Sequence, residues 1–331
     1  MFNKSLNNAL QKWAELLGGA VNNNIVTINN DKAIGTIEGF SISEDMDLLR
    51  YDFTILKPVH LKASGKEPFQ DYEVPIYFGE PLSKSIKVMS NEDGTLTKMN
   101  TTSIGGFSSN AFTHLDCSNE NNINKHMKLI SVRVKNNAFE KYVNSTENIK
   151  KLFDTSKHFF VYEELDLSMR NIFNNLMDVD ISTPFAKEHI EIYAKHLLAT
   201  FFLRIEERKN IEASNTYNFH VEPVFKAKQI LNDVKNENLN IDYLARECGL
   251  SGSRLRVLFK ETFGITIHKY HHDIRLDESK KLLIEGQKSI MMIAMDLGFA
   301  SASHFTTSFK KRYNTTPKDF QKSIFGNKIY A

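Results

Sequence analysis

The chain has 331 residues, 41% apolar and 25% charged, which is enough material for two hydrophobic cores and too much for a disordered tail. Its net charge of +2 excludes a uniformly basic or acidic protein. No apolar run is long enough for a membrane helix, and Met1 to Leu6 lack the long apolar core of a secretory signal, so the expected location is the cytoplasm.

In chain order, Leu6, Leu10, Trp13 and Leu17 recur at helical spacing and predict a helix that covers one end of a strand-rich barrel. Residues 22–135 read as short strands separated by turns: 25–28, 34–42, 50–56, 75–78, 86–89, 111–115 and 129–134. Strands at this spacing favour a barrel or a sandwich. The pairs Gly18-Gly19 and Gly105-Gly106 read as turns. From Phe139 the period lengthens toward that of a helix, with the best segments at 165–177 and 183–208. The second carries Phe185, Ile192, Leu197, Leu198, Phe201, Phe202 and Ile205, an apolar surface too broad for one stripe, which implies packing on the strands or a homodimer seam. Residues 206–220 lose the pattern and read as a polar linker ending at Pro223, a residue comfortable at a helix start.

The last hundred residues repeat themselves. Ile241, Leu244, Ala245 and Gly249 match Ile290, Ile293, Ala294 and Gly298 at an offset of 49, and Leu255, Phe259, Lys260 and Phe263 match Phe305, Phe309, Lys310 and Tyr313 at an offset of 50. The small Ala lets two short helices approach, and the glycine supplies a turn that a side chain would resist. Ser251 and Ser301 stand where an N-cap starts the second helix of each copy. Leu255, Leu258 and Phe259 form a buried stripe, as do Phe305 and Phe309, so the opposite faces are outward: Ser253, Arg256, Val257 and Lys260 in one copy, Ser303, Thr306, Thr307 and Lys310 in the other. Charge follows the repeat. Residues 223–331 hold 18 Lys and Arg against 11 Asp and Glu, a net of +7, which leaves 24 against 29, or −5, for residues 1–222. A polyanion is attracted to the first of these and not to the second.

Ile293-Ala294, Gly298-Phe299, Ser303, Phe305, Phe309-Lys310-Lys311-Arg312-Tyr313, Thr316-Pro317 and Phe320 resemble the signature of the AraC/XylS family of bacterial transcription regulators, and Arg275-Leu276 with Leu282-Leu283 resembles its linker helix. The likeness spans roughly residues 223–323. Asn314 replaces the usual Gly, Ser279 a usual Ala, and Gln321 a frequent Arg. Asn tolerates the left-handed backbone that Gly would adopt. The resemblance implies an α+β chain: a cupin-like barrel or sandwich with helices that binds an effector and dimerises over 1–210, a linker over 211–222, and an all-α DNA-binding domain with two helix-turn-helix units over 223–331. Double-stranded DNA, a small-molecule effector and a second copy are the implied partners, with RNA polymerase as a further candidate, and no membrane partner is expected.

The DNA-facing candidates are Gly252, Ser253, Arg256, Val257 and Lys260, then Ala302, Ser303, His304, Thr306, Thr307, Lys310, Lys311 and Arg312. Arg256 is the strongest candidate for a base contact, because a guanidinium grips guanine O6 and N7 with two hydrogen bonds. Short side chains dominate the second set and suit either shape and methyl readout or a mainly positioning role, while Lys260, Lys310, Lys311 and Arg312 suit phosphates.

Enzymatic readings fare poorly. His60, His114 and His126 are scattered, His189 and His196 are seven apart, and no nucleophile elbow, phosphate loop or dinucleotide fingerprint is present, so no metal, cofactor or catalytic residue is expected. Cys117 and Cys248 have neither redox nor zinc spacing and read as reduced thiols. The alternatives that stay open are an architectural DNA-binding protein without an effector and an enzyme linked to a DNA-binding module.

Overall fold

The computed structural model describes residues 4–59, 74–79, 86–89, 96–99, 105–109, 113–115, 123–153, 160–208, 221–233 and 239–325. The chain divides into two compact units, Met1–Phe225 with Glu261–Gly264, and Lys226–Lys260 with Ile265–Ala331.

The first unit opens with α1 (Lys4–Leu17), then β1 (Ala20–Asn22), β2 (Ile25–Asn29), β3 (Ala33–Ser43), β4 (Met46–Ile55), β5 (Val74–Gly79), β6 (Ile86–Met89), β7 (Leu96–Met99), β8 (Gly105–Ser109), β9 (Thr113–Leu115) and β10 (His126–Val134). Helices α2 (Asn136–Val143) and α3 (Glu147–Leu152) lead to β11 (Phe160–Glu164), followed by α4 (Leu167–Met177) and α5 (Ala186–Glu206). Eight strands pair in the order β1-β2-β3-β4-β10-β5-β8-β11, and β7-β6-β9 form a second sheet. The large sheet is not closed, which corrects the barrel expectation: β1 and β11 are edges among the described residues. Closure needs a first strand bonded to a last. Here the two faces are covered by helices instead.

Alternation along β4 and β10 decides which residues meet which helices. Met46, Leu48, Ile130, Val132 and Val134 join Ile76 and Phe78 in a core with Phe139, Phe173, Leu197 and Phe201 from the helices. Leu49, Tyr51, Phe53, Ile55, Met127 and Leu129 join Leu6, Leu10, Trp13 and Leu17 of α1 in a separate core. So α1 lies against a sheet face rather than capping a barrel end. Strand β4 starts four residues before the expected 50–56, because Asp47 and Arg50 interrupt its apolar pattern although both are buried. Asp47 takes two hydrogen bonds from Arg133, at 2.5 and 2.7 Å. Arg50 pairs with Glu38 and donates to the carbonyls of Leu176, Met177 and Val179 at the end of α4. A buried charge needs such partners, and a local apolar pattern cannot reveal them.

Gly105 and Gly106 lie inside β8, not in a turn. A side chain on Gly105 would run into the Tyr162 ring, and one on Gly106 would come within 2.9 Å of Phe78 and Phe201. Glycine in a strand here marks close approach rather than a bend. Strands β1, β7 and β11 also escape the sequence reading, being three to five residues long. In α5, Ile190, Leu197, Leu198, Phe201, Phe202 and Ile205 are buried, but Ile192 is 59% exposed, and Phe185, just before the helix, 72%.

From residue 221 on, every element among the described residues is a helix: α6 (Val221–Asp233), α7 (Ile241–Glu247), α8 (Gly252–Phe263), α9 (Ile267–Glu285), α10 (Ile290–Asp296), α11 (Ala302–Tyr313) and α12 (Pro317–Phe325). Most of the expected linker 211–222 and Cys117 lie outside the described residues; Pro223 falls in the first turn of α6. Helix starts are capped by side chains: Asn240 accepts from Tyr243 N–H, Thr266 from Lys269, Ser289 from Met292 and Thr316 from Asp319. Gly286 and Asn314, at φ +69° and +57°, end α9 and α11 in the left-handed conformation.

Candidate nucleic-acid interface

Helices α7–α8 and α10–α11 are two helix-turn-helix units built alike. Leu250 N–H bonds to Ala245 O at 2.9 Å and Phe299 N–H to Ala294 O at 2.9 Å, across Gly249 at φ +68° and Gly298 at φ +65°. The Ser251 hydroxyl accepts from Arg254 N–H at 3.2 Å and the Ser301 hydroxyl from His304 N–H at 3.1 Å, starting α8 and α11. Leu255 and Phe259 anchor α8; Phe305 and Phe309 anchor α11 in a core with Leu276, Leu283, Ile293, Ala294 and Leu297. Leu258, expected in the first stripe, is half-buried.

The faces opposite these anchors are open. Ser253, Arg256, Val257 and Lys260 are exposed on α8, and Ser303, His304, Thr307, Lys310, Lys311 and Arg312 on α11. Gly252 is half-buried, and its missing side chain has a use. A Cβ there would stand 3.3 Å from a carboxylate oxygen of Asp242 and 3.5 Å from Nη1 of Arg256, so the glycine leaves room for both. Ala302 and Thr306 are half-buried, and the Thr306 hydroxyl donates to Ala302 O at 2.8 Å, which occupies its proton within the helix.

Around the start of α11, the His304 ring lies 5.8 Å from Phe299 and 6.1 Å from His272 of α9. Arg275 stacks over Phe299 at 4.4 Å, and its Nε and Nη2 are buried without hydrogen-bond partners. Burial makes that guanidinium easier to deprotonate than usual and holds His272 below the ordinary imidazole range. His271, buried and near Arg275, His268 and His272, is pulled down to about 4. At the C-terminal end of α7, burial pushes the Cys248 thiol up to about 11, which suits an inert core cysteine. His126 of the first unit, one of the scattered histidines, bonds Asp52 at 2.8 Å and Thr54 at 3.0 Å. His60 lies outside the described residues.

Arg312 differs from its neighbours Lys310 and Lys311. Its Nη1 meets Asp273 at 3.0 Å and its Nη2 both oxygens of Asp277 at 3.0 Å, while the Tyr313 hydroxyl donates to Asp277 at 2.5 Å. Burial, with the Asp277 hydrogen bond next, pushes the Tyr313 hydroxyl above its usual range. Sequence reasoning missed the two aspartates. The signal was their spacing of four on α9, which puts both on one face.

A helix-turn-helix domain family matches this chain over residues 244–323, from α7 into α12. The probable transcription factor PqrA of Proteus vulgaris is 37% identical over 106 residues, 29% of this chain and 87% of that protein. The chain belongs to the AraC/XylS family of DNA-binding transcription regulators. The xylose operon regulatory protein of Escherichia coli K12 is 32% identical over 120 residues, 36% of this chain and only 30% of that protein. Among solved structures, an AraC-type regulator from Chromobacterium violaceum shows 29% identity over 31% of this chain and 91% of its own, at a TM-score of 0.30. The AraC/XylS signature is largely architectural in this chain. Ile293, Ala294, Phe305, Phe309 and Pro317 are buried, Gly298 makes the turn, and Thr316 caps α12. Ser303, Lys310, Lys311 and Arg312 are the signature residues that stay exposed.

Proposed function

We propose that this AraC/XylS regulator reads an asymmetric duplex site with α8 and α11 in successive major-groove segments, one helical turn or about 34 Å apart. The observation that carries the reading is the duplication itself: two short helices with the same cap, the same left-handed turn and the same buried pair, each leaving an opposite face open. Arg256 grips a guanine edge, flanked by Ser253 and Val257. Ser303, His304 and Thr307 make close contacts of shorter reach, and Lys260, Lys310 and Lys311 meet phosphates. Gly252, Ala302 and Thr306 shape the surface rather than bond to bases. Hydroxyl-radical footprinting of the purified protein on its own upstream region tests this. Two protected segments about ten base pairs apart per chain are expected, and one segment, or none, refutes it.

The first unit is the regulatory half in this reading: it binds a small-molecule effector and pairs with a second copy. Two separate cores on an eight-stranded sheet are far more structure than DNA reading needs. The xylose-operon relative matches across 36% of this chain, so its name assigns no ligand here. For pairing, the outer face of α5 supplies Ile192 at 59% and Leu203 at 56% exposure, with Ala199 between them at a spacing of seven and four. That is the repeat of a helix seam. Sedimentation of an Ile192→Asp, Leu203→Asp double variant should show monomers where the parent shows dimers, and unchanged mass removes α5 from the interface.

A further inference from the structure

The two copies differ in how the end of the reading helix is held. Asp273 and Asp277 sit one turn apart on α9 and take Arg312 at 3.0 Å each, and Asp277 also takes the Tyr313 hydroxyl at 2.5 Å. Three residues on, Lys280 lies over the rings of Tyr313 and Phe320 at 4.8 and 5.4 Å, so one face of α9 holds both the end of α11 and the start of α12. At the positions aligned with Arg312 and Tyr313, the first copy has Thr262 and Phe263. The same helix-turn-helix is thus built once without these charges, its end held instead by the Phe263 ring against Tyr162 and Phe225 at 5.5 and 5.1 Å.

What does differ is the reading chemistry. Arg256 acts through a long side chain that absorbs small errors in the position of its helix. Ser303 and Thr307 have no such reach, and a hydrogen bond is lost within a few tenths of an ångström beyond about 3.2 Å. A helix that reads with short side chains must be seated accurately.

We infer that Asp277, seconded by Asp273, is a positioning residue for sequence reading: by holding Arg312 and Tyr313 it fixes the seat of α11 on α9, and with it the depth at which Ser303, His304 and Thr307 enter the groove. This rests on the DNA-reading assignment above. Arg312 is then a brace and leaves the phosphate set proposed from sequence, while Lys310 and Lys311 remain in it.

The experiment compares full-length parent, Asp277→Asn and Arg312→Gln on duplexes that each carry one altered base pair, over a range of salt. Both variants should flatten discrimination by roughly tenfold at base pairs under α11, keep it under α8, and leave the salt slope unchanged. Together they should cost no more than either alone, because they break one interaction. If Arg312→Gln lowers the slope by about one unit while Asp277→Asn tightens binding on every duplex, Arg312 is a phosphate contact and the inference fails. It fails equally if both variants read like the parent or lose affinity uniformly. Should Asp277→Asn not fold, Arg312→Lys, which keeps the charge and loses the forked grip, carries the same expectation. Failure of the underlying reading looks different: the parent itself would show no two-segment protection.

Discussion

The turn closed by Leu250 N–H on Ala245 and the turn closed by Phe299 N–H on Ala294, both at 2.9 Å, are one construction made twice, yet the surfaces around them have diverged. On α7 the outward positions are Asp242, Tyr243 and Arg246; the aligned positions on α10 are Met291, Met292 and Met295, exposed at 64%, 52% and 67%. On the reading helices, Arg256 and Val257 face Thr306 and Thr307 in the alignment, and Thr262 and Phe263 face Arg312 and Tyr313. What stays constant is what the turn and the core require. What varies is what touches something else. Duplication therefore acts as an internal control, separating residues that hold the fold from residues available for function.

The strongest test of that control is the core. Phe259→Ala and Phe309→Ala each remove a fully buried ring and should each destabilise the protein by about 3–5 kcal/mol in denaturant titration. A large loss for one and a small loss for the other would break the equivalence of the copies. Next comes His271, on the helix that joins them. Its folded pKa of about 4 lies below the ordinary value of 6.5, so the unfolded chain takes up the proton first as pH falls. Stability is complete above about 6.5 and is lost through the window down to about 4, by at most about 3 kcal/mol, and His271→Gln should flatten that slope in denaturation at stepped pH.

Smaller effects sharpen the functional side of the comparison. Arg256→Ala should cost about 1–3 kcal/mol on the preferred site and blur a single base pair, whereas Thr307→Ala should cost under about 1 kcal/mol. Uniform weakening on every sequence would make Arg256 a phosphate residue. Lys260→Ala and Lys310→Ala occupy aligned positions, and each should reduce the salt slope by about one unit with no change in base preference. A change for only one of them would show that the copies sit at different depths on the duplex.

Legibility in the sequence followed the distance over which each feature is encoded. The caps at Ser251 and Ser301, the glycine turns and the buried pairs on α8 and α11 depend on neighbours within a turn or two, and all were readable. Strand β8 was not, because its glycines make room for Tyr162 and for Phe201, residues far along the chain. Nor was the role of Arg50, whose carbonyl partners Leu176 and Met177 lie 126 and 127 residues away. Arg312 looked like its neighbouring lysines until α9 brought Asp273 and Asp277 to it.

The order of residues alone determined that this chain ends in a duplicated pair of short helices, with a basic surplus on that part and outward faces suited to DNA, since periodicity, caps and charge are local properties. Only the tertiary structure decided that the large sheet stays open between two helical layers, and that Arg312 of α11, exposed like its neighbouring lysines, is paired with two carboxylates of α9. Pairing across a sheet and pairing of charges both join residues whose separation along the chain carries no signal, and only folding brings them within reach.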